Sequence, residues 1–294
     1  MRIDLHTHST ASDGTESPAA LVRAASAAGL DVVALTDHDT TGGWAEAEAT
    51  LAELPASFSL VRGMEMSCQA DGEDGAPVPV HLLGYLFDPS DPGFRAERSR
   101  LREERERRVR AMADNIAADY PQIDPEEILG AVGTSAGRPH IARALVAAGI
   151  VGSVDEAFSS LLHRDSPYYV EKQDTPVDTA VELIAAAGGV SVLAHIRARK
   201  RGRLMTIDHV RRLADQGLAG LEIDHPDHSA DDRAMLHDLA AELGLLATGS
   251  SDYHGSNKTI AIGAETTEPD QYAALVAGAL GIEVLTGGQR RCAP

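Results

Sequence analysis

Short apolar runs alternate with helical segments along most of this chain. The runs fall at residues 2–5, 32–35, 59–61, 80–86, 190–194, 218–223 and 245–248. Several are rich enough in Val, Ile and Leu to be strands buried on both faces, as in a parallel sheet covered by helices. Helix boundaries punctuate the pattern. Ser17-Pro18 opens an Ala-rich stretch, Thr175-Pro176 precedes residues 177–187, and Gly29, Gly188 and Gly217 stand where helices should stop. Seven strands with helices between them predict an α/β fold of barrel type. The 294 residues suffice for one such barrel, and an aromatic content of only 4% predicts a core of Ala, Leu, Val and Ile.

The alternation stops between residues 94 and 173. That stretch has helical patterns only, at 95–118, 125–132, 139–148 and 154–162. It reads as an inserted all-helical subdomain, residues 94–173, forming a substrate cap between the barrel segments 1–93 and 174–294. In its first helix Glu103, Glu104 and Glu106 stand four residues before Arg107, Arg108 and Arg110, the spacing of a solvated face. The other reading turns one or two of these arginines toward the active site as phosphate ligands. Residues 71–79 form a polar turn cluster that joins two strands.

With 26 basic against 45 acidic residues the net charge is −19, which disfavours nonspecific binding to duplex DNA. Cys68 and Cys292 are too few for a disulfide framework and lack metal-ligand spacing, which suits a reducing compartment. The sequence contains neither a signal-type apolar region nor a run able to span a bilayer, so no membrane association and a cytoplasmic location are expected.

In a parallel barrel the functional residues gather at the carboxyl ends of the strands. Here those ends carry His6 and His8, His38 within Thr36-Asp37-His38-Asp39, Glu65 after Gly63-Met64, His81, His195 after Ala194, and Asp252 with His254; Asp13 follows the first strand closely. Any one such histidine reads most simply as a hydrogen-bonded core residue. Their recurrence points to metal, because so many polar groups at one mouth carry a desolvation cost that coordination offsets. Imidazole and carboxylate without thiolate favour Zn, Mn or Fe, and nine ligands suit two or three divalent ions rather than one. Glu65 and Asp252 are the candidates for sharing between ions.

His6-Thr7-His8 with Asp13, Thr36-Asp37-His38, Gly63-Met64-Glu65, His81-Leu-Leu-Gly84-Tyr85, Ala194-His195 and Gly249-Ser-Ser-Asp252-Tyr-His254 resemble, in this order, the polymerase and histidinol phosphatase superfamily. The resemblance covers nearly the whole chain. It implies a distorted seven-stranded (β/α)7 barrel with a trinuclear centre: His6, His8, Glu65 and Asp252 on one metal, Glu65, His81 and His195 on a second, and Asp13, His38 and His254 on a third. Relatives commonly have proline after the histidine that is His195 here, whereas this chain reads Ala194-His195-Ile196-Arg197, which leaves the local loop and the use of Arg197 or Arg199 open.

A narrower resemblance lies in Gly137-Arg138-Pro139-His140-Ile141-Ala142-Arg143, Ser166-Pro167-Tyr168-Tyr169-Val170, and Gly220-Leu221-Glu222-Ile223 leading to His228-Ser229. These look like the branch that removes the 3′-phosphate of nucleoside 3′,5′-bisphosphates and trims short single-stranded RNA from its 5′ end. A small phosphorylated substrate, an AMP-like product and free phosphate are implied. Arg138 is the expected phosphate clamp, since a guanidinium can grip two phosphate oxygens, with a surface residue at a helix start as the alternative. His140 and Arg143 are further substrate candidates. His228 is expected to protonate the leaving oxygen or bind phosphate, while His163, His209, His225 and His237 carry no such signal. A histidinol-phosphate phosphatase would use the same metals, but the helical insertion argues against it. A polymerase-associated proofreading module is not expected from these 294 residues, and the full ligand set argues against a purely binding role.

Overall fold

The computed structural model describes residues 1–288, so Cys292 lies outside the described residues. The first half of the barrel comprises β1 (Ile3–Thr7), α1 (Pro18–Ala27), β2 (Val32–Leu35), α2 (Trp44–Thr50), β3 (Ser59–Asp71) and β4 (Pro77–Tyr85). Four helices follow: α3 (Pro92–Asp119), α4 (Pro125–Gly130), α5 (Arg138–Ala147) and α6 (Val154–Ser159). The chain returns through β5 (Thr175–Pro176), α7 (Val177–Ala186), β6 (Val190–Ala194), α8 (Ile207–Asp215), β7 (Gly220–Asp224), α9 (Ala230–Leu243), β8 (Leu246–Gly249), α10 (Pro269–Gly278) and β9 (Leu285–Thr286).

The strands run in the order β1-β2-β3-β4-β6-β7-β8, with β5 and β9 both pairing to β3. A parallel bridge between Thr7 and Tyr253, with the His8 N–H donating to the Tyr253 carbonyl at 2.8 Å, draws the two ends together into a nearly closed barrel. The expected all-parallel arrangement is corrected at β4, which is antiparallel to both β3 and β6. The cause is local: the Gly72–Ala76 turn is too short for a helical crossover, so the chain can only double back. β3 also runs ten residues past the expected 59–61, as far as Asp71. Glu65, Ser67 and Gln69 interrupt its apolar pattern without interrupting its pairing with β4.

Helix α1 starts as anticipated, with Ser17 accepting the Ala20 N–H and Pro18 in the first turn. Gly188, at φ +73°, ends α7 in the left-handed region. One apolar cluster packs Val33, Leu35, Leu60 and Met64 under the surrounding helices, and another joins Ile3, Leu5, Val32, Val61 and Val192 to Leu275 of α10. The inserted helices have a cluster of their own, including Met112, Ile116, Ile128, Ile141 and Leu145. Helix α3 belongs to both bodies, burying Phe94 and Leu101 with the barrel and Val109 to Ile116 with the insertion. Among the described residues no helix is long and apolar enough to cross a membrane.

Candidate metal centre

The strand ends converge on Glu65. His6 and His8, side by side on β1 and just beyond it, bring their Nε2 atoms to 2.9 Å. Glu65 Oε2 stands 3.2 Å from His6 Nε2, 3.1 Å from His8 Nε2 and 3.0 Å from His38 Nδ1. Its Oε1 lies 2.6 Å from His81 Nδ1 and 2.9 Å from His195 Nε2. Asp252, after β8, places Oδ1 3.5 Å from both His6 and His8 and 3.4 Å from His254 Nδ1. Asp13 faces His8, His38 and His254 at 3.7, 3.6 and 3.4 Å. His81 arrives by an unexpected route: it stands mid-strand in β4, opposite Ser67 and Ala194, and the reversal of β4 brings that position to the mouth.

This donor set fits divalent metal ions. His38 Nδ1 and His81 Nδ1 are buried without a hydrogen bond although Glu65 oxygens stand 3.0 and 2.6 Å away, close but not aligned for proton sharing. Ligand atoms of His8, Asp13, His38 and His254, of His6, His8 and Asp252, and of His38, Glu65 and His81 lie within 4.8 Å of one another in each group. The geometry thus adds His8 to the Asp13 group, and sets His195 with His6 and Glu222. Burial pushes His38 and His254 toward the neutral form. It would do the same to His8, but Asp252 and Glu65 lift that ring to about 9. Glu65, despite its burial, is held well below the usual carboxylate range by His81, His38 and His6.

Buried carboxylates aim these ligands. Glu222 of β7 lies 2.9 Å from His6 Nδ1, accepts the Ser250 hydroxyl on the same oxygen, and accepts the His195 N–H on the other at 2.8 Å. Asp37 accepts the Ser9 N–H at 2.8 Å and the Ser12 hydroxyl at 2.7 Å, pinning the loop that leads to Asp13. Asp4 accepts the Ser251 hydroxyl at 2.6 Å and the Gly263 N–H at 2.8 Å, fixing the loop that carries Asp252. Asp39, His195 and Asp252 have φ of 53°, 34° and 52°, a strained backbone that persists where its surroundings over-determine it. Two neighbours carried no sequence signal: His225 Nε2 is 3.3 Å and Lys258 Nζ 2.6 Å from Asp252 Oδ2.

A cavity of about 350 Å³ takes Asp13, His38 and His81 into its wall together with Arg108, Arg138, Tyr169 and Lys172 of the insertion. Arg138 lies 5.0 Å over the Phe158 ring and 5.9 Å from that of Tyr169, and Arg108 lies 4.9 Å over Tyr169. Both guanidiniums donate to carbonyls, of Leu162 and Val170, and among the described residues neither has an ion pair. Burial, then Arg108 beside it, pushes Arg138 down to about 10. The arginine face of α3 therefore divides. Arg107 pairs with Glu104 one turn back and Arg110 with Glu126 of α4, rather than with partners four residues earlier, while Arg108 turns inward.

The other expected substrate residues lie elsewhere. His140 uses Nδ1 to accept the Gly137 N–H at 3.1 Å, capping α5, and Arg143 donates to the Asp13 carbonyl at 3.2 Å; neither lines the cavity. Arg143 ties the insertion to the Asp13 loop, while the His140 contact stays within the insertion. His228 lies beside His225, with ring centroids 5.5 Å apart, but main chain engages both its nitrogens: Nδ1 with the Ile223 carbonyl at 2.8 Å, Nε2 with the Arg197 N–H at 3.2 Å. As an acid or phosphate ligand it would have to break the Arg197 contact. Arg197 and Arg199 themselves pair with Glu73 and Asp232.

The chain is 34% identical over 261 residues to a 5′-3′ exoribonuclease of Haemophilus influenzae, covering 86% of this chain and 90% of that protein. It is 33% identical over 261 residues to a 3′,5′-nucleoside bisphosphate phosphatase of Chromobacterium violaceum, covering 86% and 87%. A solved structure from Bifidobacterium adolescentis, assigned as a metal-dependent phosphoesterase, matches with a TM-score of 0.87 and 35% identity over 95% of this chain and 96% of that one. A barrel mouth of this composition, in a chain aligned nearly end to end with such proteins, defines a metal-dependent hydrolase of phosphoester bonds. Residues 4–216 match the model of the PHP domain, and the chain belongs to that family.

Proposed function

We propose that the protein hydrolyses phosphate esters of nucleotides, releasing the 3′-phosphate of nucleoside 3′,5′-bisphosphates and/or trimming short 5′-phosphorylated RNA. One observation carries this reading: the cavity that touches His38 and His81 also holds Arg108 and Arg138 against Tyr169, two guanidiniums with no acidic partner among the described residues. Such a cavity suits a substrate with two phosphates, one at the barrel mouth and one in the cap formed by residues 94–173. The named activities of the two relatives, on a bisphosphate and on RNA, support it.

Two or three divalent ions, Mn, Fe or Zn, would be held by His6, His8, Asp13, His38, Glu65, His81, His195, Asp252 and His254. When bound, they supply Lewis acidity and an activated water for in-line attack on phosphorus. Glu222 orients His6 and fixes the main chain at His195, so that both rings face Glu65. Arg138 and Arg108 orient the nucleotide through its second phosphate, with Tyr169 walling the same space. Arg143 holds the cap on the Asp13 loop, His140 caps the start of α5, and His228 holds the loop after His195.

With Mn, Zn or Mg, phosphate release from adenosine 3′,5′-bisphosphate and from mononucleotides, mononucleotide release from a 5′-phosphorylated oligoribonucleotide, and phosphate release from histidinol phosphate test the reading. Turnover of the first, the third or both well above the others is expected. Turnover of histidinol phosphate alone would replace this reading with the small-molecule phosphatase.

A further inference from the structure

Lys172 is a buried ammonium that belongs neither to the metal-ligating set nor to the cap arginines. It stands on the segment that returns from the cap to β5, and it lines the same cavity as His38, His81 and Arg138. Its Nζ is 2.7 Å from Asp174 Oδ1 and 4.0 Å from Asp39 Oδ2. Asp39 directly follows His38, and its Oδ2 also accepts Arg105 Nε, one helical turn before Arg108 on α3. The ammonium thus occupies the junction between the metal-side wall and the two cap arginines. A substrate with its scissile phosphoryl group at the mouth and a second phosphate at those arginines has its ester oxygen in that interval.

The charged and titratable groups around Lys172 come from several elements: Arg105 on α3, Asp39 after β2, Asp174 on its own segment, and the buried Cys68 thiol of β3. Burial, and then Arg105, pushes the ammonium down to about 8 against the pull of Asp174 and Asp39. Such a group is largely protonated at neutral pH and is a stronger proton donor than an ordinary lysine.

We propose that Lys172 is the general acid of the hydrolysis, protonating the ester oxygen as it leaves; the assignment rests on the phosphoesterase reading above. As the oxygen of water bonds to phosphorus, the P–O ester bond breaks and its electron pair stays on the leaving oxygen. The Lys172 proton converts that oxygen to an alcohol. The attacking water gives up one proton to solvent and the neutral amine takes one back, so the sum is ester plus water to alcohol plus phosphate. Asp174 and Asp39 hold the ammonium in place.

Lys172→Arg and Lys172→Gln, in metal-loaded enzyme, test this against two kinds of ester. With adenosine 3′,5′-bisphosphate or the 5′-phosphorylated oligoribonucleotide, whose leaving groups are alkoxides, kcat should fall roughly 10²- to 10⁴-fold in both variants. The wild-type decline in kcat above pH of about 8 should vanish with it. With 4-nitrophenyl phosphate, whose leaving group needs no proton, kcat should change by less than about threefold and metal content should be unaltered. Full activity in Lys172→Arg would overturn the proposal, because arginine keeps the charge but cannot yield the proton. Equal losses on both kinds of ester, with metal lost, would make Lys172 structural and overturn it too. Wild-type protein that cleaves none of these esters would instead sink the phosphoesterase reading itself.

Discussion

The barrel mouth and the cap handle charge in opposite ways. At the mouth, carboxylates and imidazoles are interleaved until Glu65 alone stands within 3.2 Å of His6, His8, His38, His81 and His195. In the cap, Arg108 and Arg138 lie against one tyrosine ring with carbonyls as their only hydrogen-bond partners among the described residues. The first arrangement suits cations and the second suits anions. Under the proposed function a chain of net charge −19 can draw in a phosphate ester, because Arg108, Arg138 and Lys172 concentrate positive charge in the cavity beside the mouth. On the same proposal catalysis divides by region: the mouth would act on the transition state, the cap on the remote part of the substrate.

That division predicts different kinetic signatures. Asp252→Asn, at the mouth, should cost on the order of 10³-fold or more in kcat for every ester, with reduced metal content, since Lewis-acid stabilisation is worth several kcal/mol. Replacing Arg108 and Arg138 together by Ala should leave metal content intact and raise KM for adenosine 3′,5′-bisphosphate roughly 10²- to 10⁴-fold, from the loss of charge-assisted bonds of about 1.5–3 kcal/mol each. A monophosphate should feel little of this. Equal losses on bisphosphate and monophosphate would erase the distinction between the regions. Arg107→Ala, one position from Arg108, removes a half-exposed pair with Glu104 and a bond to the Glu171 carbonyl; it should lower stability by about 1 kcal/mol in thermal melts and change kcat and KM far less than the Arg108 and Arg138 replacement.

The two regions also differ in how far their sequences disclose them. At the mouth, His6, His38, Glu65, His195 and Asp252 each lie within or just beyond a strand, so strand periodicity alone brings them together. His81 is visible as a residue, but its position rests on the reversal of β4, which the polar turn after Asp71 signals only as a break. The extent of β3 is hidden because Glu65 and Ser67, turned toward the site, disrupt the apolar pattern that marks a strand. Helices of the cap follow from their periodicity. Which of their side chains line the cavity does not, because that depends on how α3 and α5 pack and on the irregular segment carrying Tyr169 and Lys172. His228 is a similar case: its contact with the Arg197 main chain is a product of tertiary structure.

The claim on which the rest depends is that the residues around Glu65 hold the metal ions that hydrolysis requires. Protein stripped with a chelator and titrated with Mn²⁺ while phosphate release from adenosine 3′,5′-bisphosphate is followed addresses it directly. No turnover without metal, rising to a plateau at two or three equivalents and absent in Asp252→Asn, is the predicted result. Turnover that survives complete removal of metal, or that is unaffected in Asp252→Asn, would contradict it.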